Sequence, residues 1–266
     1  MKIGVWGVVV AVVLGGLAPE ASAEVFPVPP SVLEMSTPHE EVHLLKGRAD
    51  GTSLGEQRLR AVVEGGCLKL DVVTRFTSGE QWDERAEMDL TRGYRAKSFR
   101  KIRRRGGKVI AEHAIDFTSG LVTWLHDGER GTRTLTFAPD TYIGPMLGVV
   151  LAAVPDRATG LASFQTVVFR PEPSVYTVRA EVVAQEDFRV GRLSEPATKI
   201  RVRADLGPVQ NVLLASLIPT HYFWFTRDTP PEFLAFEGTL GYGGLDMRMI
   251  PERPPAHTAK ADPPRL

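Results

Sequence analysis

A single cysteine, Cys67, excludes any intramolecular disulfide, so the fold must be held by its core. Cys67 follows Gly65-Gly66 at the start of an alternating segment; there a small, half-buried hydrophobe is the plain reading, and a nucleophile would need a histidine brought close in space. Net charge is missing too. The 32 Lys and Arg balance the 32 Asp and Glu, so bulk electrostatics select no partner. There is no G-x-S-x-G elbow and no glycine loop that would cradle a phosphate ahead of a helix. Carboxylates are plentiful, but no two are placed by the sequence across a cleft, and no motif calls for a cofactor.

Long apolar runs are absent but for one, Ile3 to Ala18, behind Lys2 and ahead of Ala21-Ser22-Ala23. That run falls short of the roughly 20 residues a membrane span needs and contains Gly15-Gly16, so it reads as a secretory signal cut after Ala23. With no cysteine at the cut to carry a lipid, the expected mature product is a soluble periplasmic protein.

What the chain does have is regular punctuation: Asp50-Gly51, Gly65-Gly66, Ser78-Gly79, Arg92-Gly93, Gly106-Gly107, Ser119-Gly120 and Asp127-Gly128. Glycine beside Asp, Ser or Gly supplies the positive φ of tight hairpins, so the spacing predicts an up-and-down antiparallel meander of strands about ten residues long. Alternation assigns faces: Trp82, Glu84, Ala86, Met88 and Leu90 share one side, as do Leu68, Leu70, Val72, Thr74 and Phe76, and again Val109, Ala111, His113, Ile115 and Phe117. Ile143, Met146, Leu147, Val150, Leu151 and Val154 recur at helical spacing, predicting a buried helix over 142–154 capped by Asp140 or Thr141 and ended by Pro155. Strands are predicted again over 174–185, 198–206, 220–226, 232–240 and 246–250; residues 208–217 fit a helix or a buried strand. The division is then a signal over 1–23, a proline-rich extended lead-in over 24–39 crossing the surface, one β domain over 40–250 and a disordered tail over 251–266.

Three constellations bear on chemistry. His39-Glu40-Glu41-Val42-His43 matches H-E-x-x-H, which in a helix would place two imidazoles for zinc with Glu40 as base. In a strand the two histidines lie about 13 Å apart, and a strand from Glu41 to Arg48 suits the following Asp50-Gly51 turn better. Arg103, Arg104, Arg105 and Lys108 gather cations at the Gly106-Gly107 hairpin, either as a contact for an anionic membrane surface or as solvated charge that discourages edge pairing. Without an interleaved aromatic platform they do not suggest nucleic acid. In Thr220 to Thr226, alternation sends His221, Phe223 and Phe225 to one face and Tyr222 and Trp224 to the other, as in a central strand or a cavity wall.

The segments Asp116-Phe117-Thr118-Ser119-Gly120, Tyr142-Ile143-Gly144-Pro145-Met146, residues 218–225 and residues 230–238 resemble an exported bacterial family of the domain-of-unknown-function type. Its outline is similar to that of periplasmic lipoprotein carriers, whose half-barrel sheet wraps helices and an apolar cavity, although this chain offers one main helix where the carriers have several. The resemblance implies a curved half-barrel or incomplete barrel and carries no catalytic residue across. The expectation is a non-enzymatic binding protein for an apolar or lipid-like ligand, lined by Trp82, Met88, Phe99, Phe117, His221, Tyr222 and Trp224, touching membrane at most peripherally. An envelope scaffold is the alternative; a zinc hydrolase using His39, Glu40 and His43 ranks below it.

Overall fold

The computed structural model describes residues 25–33, 37–155, 159–170, 172–190, 193–205, 220–240 and 244–252. The expected signal, the helix-or-strand question over 208–217 and the tail from residue 253 lie outside the described residues.

Eight strands precede the main helix: β1 (His39–Gly47), β2 (Ser53–Glu64), β3 (Cys67–Phe76), β4 (Glu80–Asp89), β5 (Arg95–Arg105), β6 (Lys108–Asp116), β7 (Leu121–His126) and β8 (Glu129–Thr134). After them come β9 (Thr141–Tyr142), β10 (Leu161–Phe169), β11 (Pro173–Val190), β12 (Leu193–Ala204), β13 (Thr220–Thr226), β14 (Phe233–Thr239) and β15 (Asp246–Pro251). The helices are α1 (Pro30–Leu33) and α2 (Met146–Ala152). All fifteen strands make one sheet in the order β8-β7-β6-β5-β4-β3-β2-β1-β15-β14-β13-β12-β11-β10-β9. The glycine turns do what the sequence implies: Gly106 and Gly107 hold φ at 55° and 78°, the twist that joins two strands through a two-residue loop.

The sheet is curved and unclosed, and its edges are β8 and β9. Leu68, Leu70, Ala86, Met88, Phe99, Ile115 and Val122 bury one face, and Met146, Val150 and Leu151 of α2 pack into the same core. Fully burying such a side chain is worth about 1.5–3 kcal/mol, so this concave face supplies most of the folding drive. Side chains join the two halves. Tyr142 donates its hydroxyl to the Tyr94 carbonyl at 2.8 Å, and His113 of β6 stacks on Phe169 of β10 at 4.0 Å.

Three sequence expectations need correcting. The helix begins at Met146 rather than 142: Thr141 and Tyr142 instead pair in parallel with Gln165 and Thr166, and Pro145 is the N-cap, with no side-chain cap. The lead-in does not simply cross the surface. Phe26 is fully buried edge-on to Tyr142 and Phe164, and its carbonyl accepts from the Tyr94 N–H at 2.9 Å. Val109 is exposed because the β5–β6 register shifts between Arg103 and Arg104, leaving Ile110 unpaired and turning Val109 to the other face.

A second, smaller core lies on the convex face. The register of β11 and β12 shifts between Val182 and Ala184, and beyond it the hairpin curls over β13 to β15. Phe188 comes within 5.4 Å of the Trp224 ring and 6.0 Å of the Arg248 guanidinium, and Trp224 Nε1 donates to Glu186 at 2.8 Å. Both faces of β13 are thereby covered, as its aromatic alternation implies.

Candidate functional site: a charged ladder on the concave face

Register places residues of β4, β5, β6 and β7 side by side across the concave face. The rung Ala86–Phe99–Ile115–Val122 is dry; the next is Glu84–Lys101–His113–Trp124, then Trp82–Arg103–Ala111–His126, with Glu80–Arg105 at the rim. Alternation creates the ladder, because the odd-numbered cations of β5 share a face with Phe99, and the even-numbered residues of β4 share one with Met88. Side-chain exposure climbs from 16% at Lys101 to 30% at Arg103 and 65% at Arg105, so the face opens to solvent at that end.

Every charge in it is engaged. Lys101 Nζ stands 3.3 Å from Glu84 Oε1 and 3.7 Å from the centre of the Trp82 ring, with the Arg103 guanidinium 5.3 Å from the same ring. Glu80 accepts from Trp82 Nε1 at 2.6 Å, from Arg103 Nε and Nη2 at 2.9 and 2.7 Å, and from Arg105 Nη2 at 2.8 Å. Burial pushes the Glu80 carboxyl up, but those donors more than reverse it and bring it to about 2. Burial, reinforced by the charges of Lys101, His126 and Arg103, lowers His113 to about 4; its Nε2 is buried without a hydrogen-bond partner among the described residues. Neither group changes protonation near neutral pH, so Glu80 stays charged and His113 neutral there. Phe76 packs on Trp82 at 4.9 Å. Gly144 lies over the inner end, where φ of +57° and a methyl only 2.7 Å from Phe99 leave room for glycine alone.

Of the expected lining residues, Trp82 alone stands in the charged rungs. Met88 and Phe99 are fully enclosed core, Phe117 packs against Phe137 at 4.9 Å, and His221 stacks on Phe236 at 5.8 Å with Thr239 Oγ1 at 3.3 Å. Tyr222 and Trp224 belong to the convex cluster. The cationic hairpin divides: Arg103 and Arg105 face the concavity, Arg104 pairs with Asp83 on the other side, and Lys108 is exposed beside the turn. Glu80, His113 and Phe169 are not singled out as site residues by the sequence, whereas Lys101 belongs to its cation cluster; the signal for Glu80 is the antiparallel match of acidic 80–84 with basic 101–105.

The H-E-x-x-H residues lie on β1, a strand, so the helical geometry of the zinc-hydrolase reading is not met. Instead His39 Nε2 and His43 Nε2 approach one carboxylate, Glu41, at 2.6 and 2.9 Å. Burial pushes Glu41 up, and the two imidazoles outweigh it, holding the group at about 2. Among the described residues no group of three or more His, Cys, Asp or Glu is arranged to hold a metal ion.

No known family profile matches the sequence, and no curated protein matches it. A solved structure does: the crystal structure of the beta-barrel-like protein of domain of unknown function DUF1849 from Brucella abortus, at 12% identity and a TM-score of 0.51, covering 82% of this chain and 96% of that one. At that identity the likeness is one of fold, and this chain is similar in fold to a bacterial beta-barrel-like protein whose function is unknown.

Proposed function

We propose that the protein is a non-enzymatic binding protein of the cell envelope, holding an amphipathic, lipid-like ligand at the open end of its concave face. The observation that carries this reading is the charged ladder itself. Removing charges from water offsets most of what their pairing returns, and an apolar rung of similar volume would stabilise the sheet at least as well. Charge retained on the dry side of a core is therefore better explained by recognition than by stability. Trp82 and Phe76 beside the ladder supply an apolar surface for the rest of such a ligand. Deeper in, α2 and the rings of Phe26, Tyr142 and Phe164 fill the concavity, so a ligand would rest at the mouth rather than inside. The leader-like N-terminal segment supports placement in the envelope.

Native mass spectrometry of protein purified from its own envelope without detergent tests the reading. Extra mass released on denaturation as an amphiphile supports it. Bare protein in repeated preparations, together with no saturable binding of a fluorescent fatty acid, overturns it. That outcome favours a second reading, an envelope interaction module, for which the observation is β8: an exposed edge strand with one side unpaired among the described residues.

A further inference from the structure

We infer that the Arg103–Arg105 end of the ladder recognises an oxyanion of the phosphate type, carried by an amphiphile whose apolar part lies against Trp82 and Phe76. The inference rests on the reading of the concave mouth as a binding site and adds the chemical class of the ligand.

Three cations, Lys101, Arg103 and Arg105, face two carboxylates, Glu80 and Glu84, across the β4–β5 pairing, so the cluster carries surplus positive charge. Lys101 and Glu84 neutralise each other in the covered inner part. The surplus therefore falls at the rim, where two guanidiniums share the single carboxylate of Glu80. Glu80 engages Arg105 only through Nη2, and that side chain is 65% exposed, so its other N–H groups point where a ligand can reach them. Glu80 is also a positioning residue, because it orients Arg103 through two donors and Arg105 through one and so holds both planar forks around one carboxylate. Paired guanidinium forks match the oxygen geometry of phosphate, which ammonium groups do not. The neighbouring field agrees in sign, since Lys101, His126 and Arg103 all act to keep His113 neutral. Trp82 is held at a fixed angle by its Nε1–Glu80 bond, and since Lys101 covers its ring face, an alkyl chain leaving the anion would meet the half-exposed rims of the Trp82 and Phe76 rings. The arrangement thus has a charged fork and an apolar shelf in adjoining positions, the two halves of an anionic amphiphile.

The test is calorimetric titration of the whole protein with dodecyl phosphate, dodecyl maltoside and inorganic phosphate, each amphiphile below its micellar concentration, against the native chain, Arg105→Gln and Arg58→Gln. Arg58 is an exposed cation elsewhere on the sheet and controls for bulk charge. The expected result is saturable dodecyl phosphate binding at least tenfold tighter than dodecyl maltoside. It should weaken tenfold or more in Arg105→Gln, stay unchanged in Arg58→Gln, and fade as ionic strength rises. Equal affinity for dodecyl phosphate and dodecyl maltoside, or equal effects of the two substitutions, overturns the oxyanion assignment and leaves the binding reading standing. Failure of both amphiphiles to bind overturns the two together. Inorganic phosphate binding as tightly as dodecyl phosphate overturns the amphiphile part, because the apolar shelf would then contribute nothing.

Discussion

His113 joins the two halves of the sheet through its stack on Phe169 and titrates far from its usual range. Burial first, then the charges of Lys101, His126 and Arg103, push its imidazole down from 6.5 to about 4. Between those values the unfolded chain takes up a proton and the native one does not. Stability present above pH 6.5 is therefore lost as pH falls toward 4, by on the order of 3 kcal/mol for this group. Urea unfolding of His113→Gln should show a shallower decline between pH 6.5 and 4.5 than the native protein; an unchanged slope would assign the decline elsewhere. His221, also lowered by burial, leaves some slope in the variant, and His39, raised chiefly by its bond to Glu41, acts in the opposite sense. Glu41 and Glu80, both near 2, govern a lower window: their stabilisation is complete above pH 4.5 and lost toward pH 2.

At the level of elements, the curled end of the β11–β12 hairpin depends on few groups, chiefly Phe188 against Trp224 and Glu186 on the indole N–H. Phe188→Ala should cost about 3 kcal/mol, confined to that flap. Trypsin should cut after Arg189 faster, while amides of β3 to β6 keep their hydrogen-exchange protection; unaltered cleavage would mean the flap is held by other contacts. The strand bounds of β13 to β15 are legible in the sequence because alternation and turn residues are local. The start of α2 is not, since Asp140 and Thr141 look like caps only until β10, some twenty residues later, claims Thr141 and Tyr142. The same limit hides the ladder. Trp82 and the arginines each stand out in the sequence, but their adjacency depends on the β4–β5 register, which shifts between Glu87 and Met88 through a bulge that no residue type announces. Phe26 is hidden by the prolines around it, its partners Tyr142 and Phe164 lying more than a hundred residues on.

For the whole molecule, a sheet whose edge strands β8 and β9 do not pair with each other among the described residues gives Phe26 unusual weight, since it touches Tyr142 and Phe164 from one half and pairs its carbonyl with Tyr94 from the other. Phe26→Ala should cost about 3–5 kcal/mol and lower the thermal midpoint by several degrees in calorimetry, with both halves melting together; a loss under about 1 kcal/mol would show that α2 and Tyr142 hold the halves unaided. The pairing of β1 with β15 has a different kind of outcome. A ribosome makes β1 first and β15 about two hundred residues later, so closing that interval is a slow, entropically costly step in reaching the native state. Until it closes, a strand destined for the middle of the sheet keeps an unsatisfied edge, and a chain halted before residue 246 retains that edge permanently. Prematurely terminated products are thus not smaller versions of the protein but two open sheets ready to pair with the wrong neighbour, and quality-control proteases would be their natural fate.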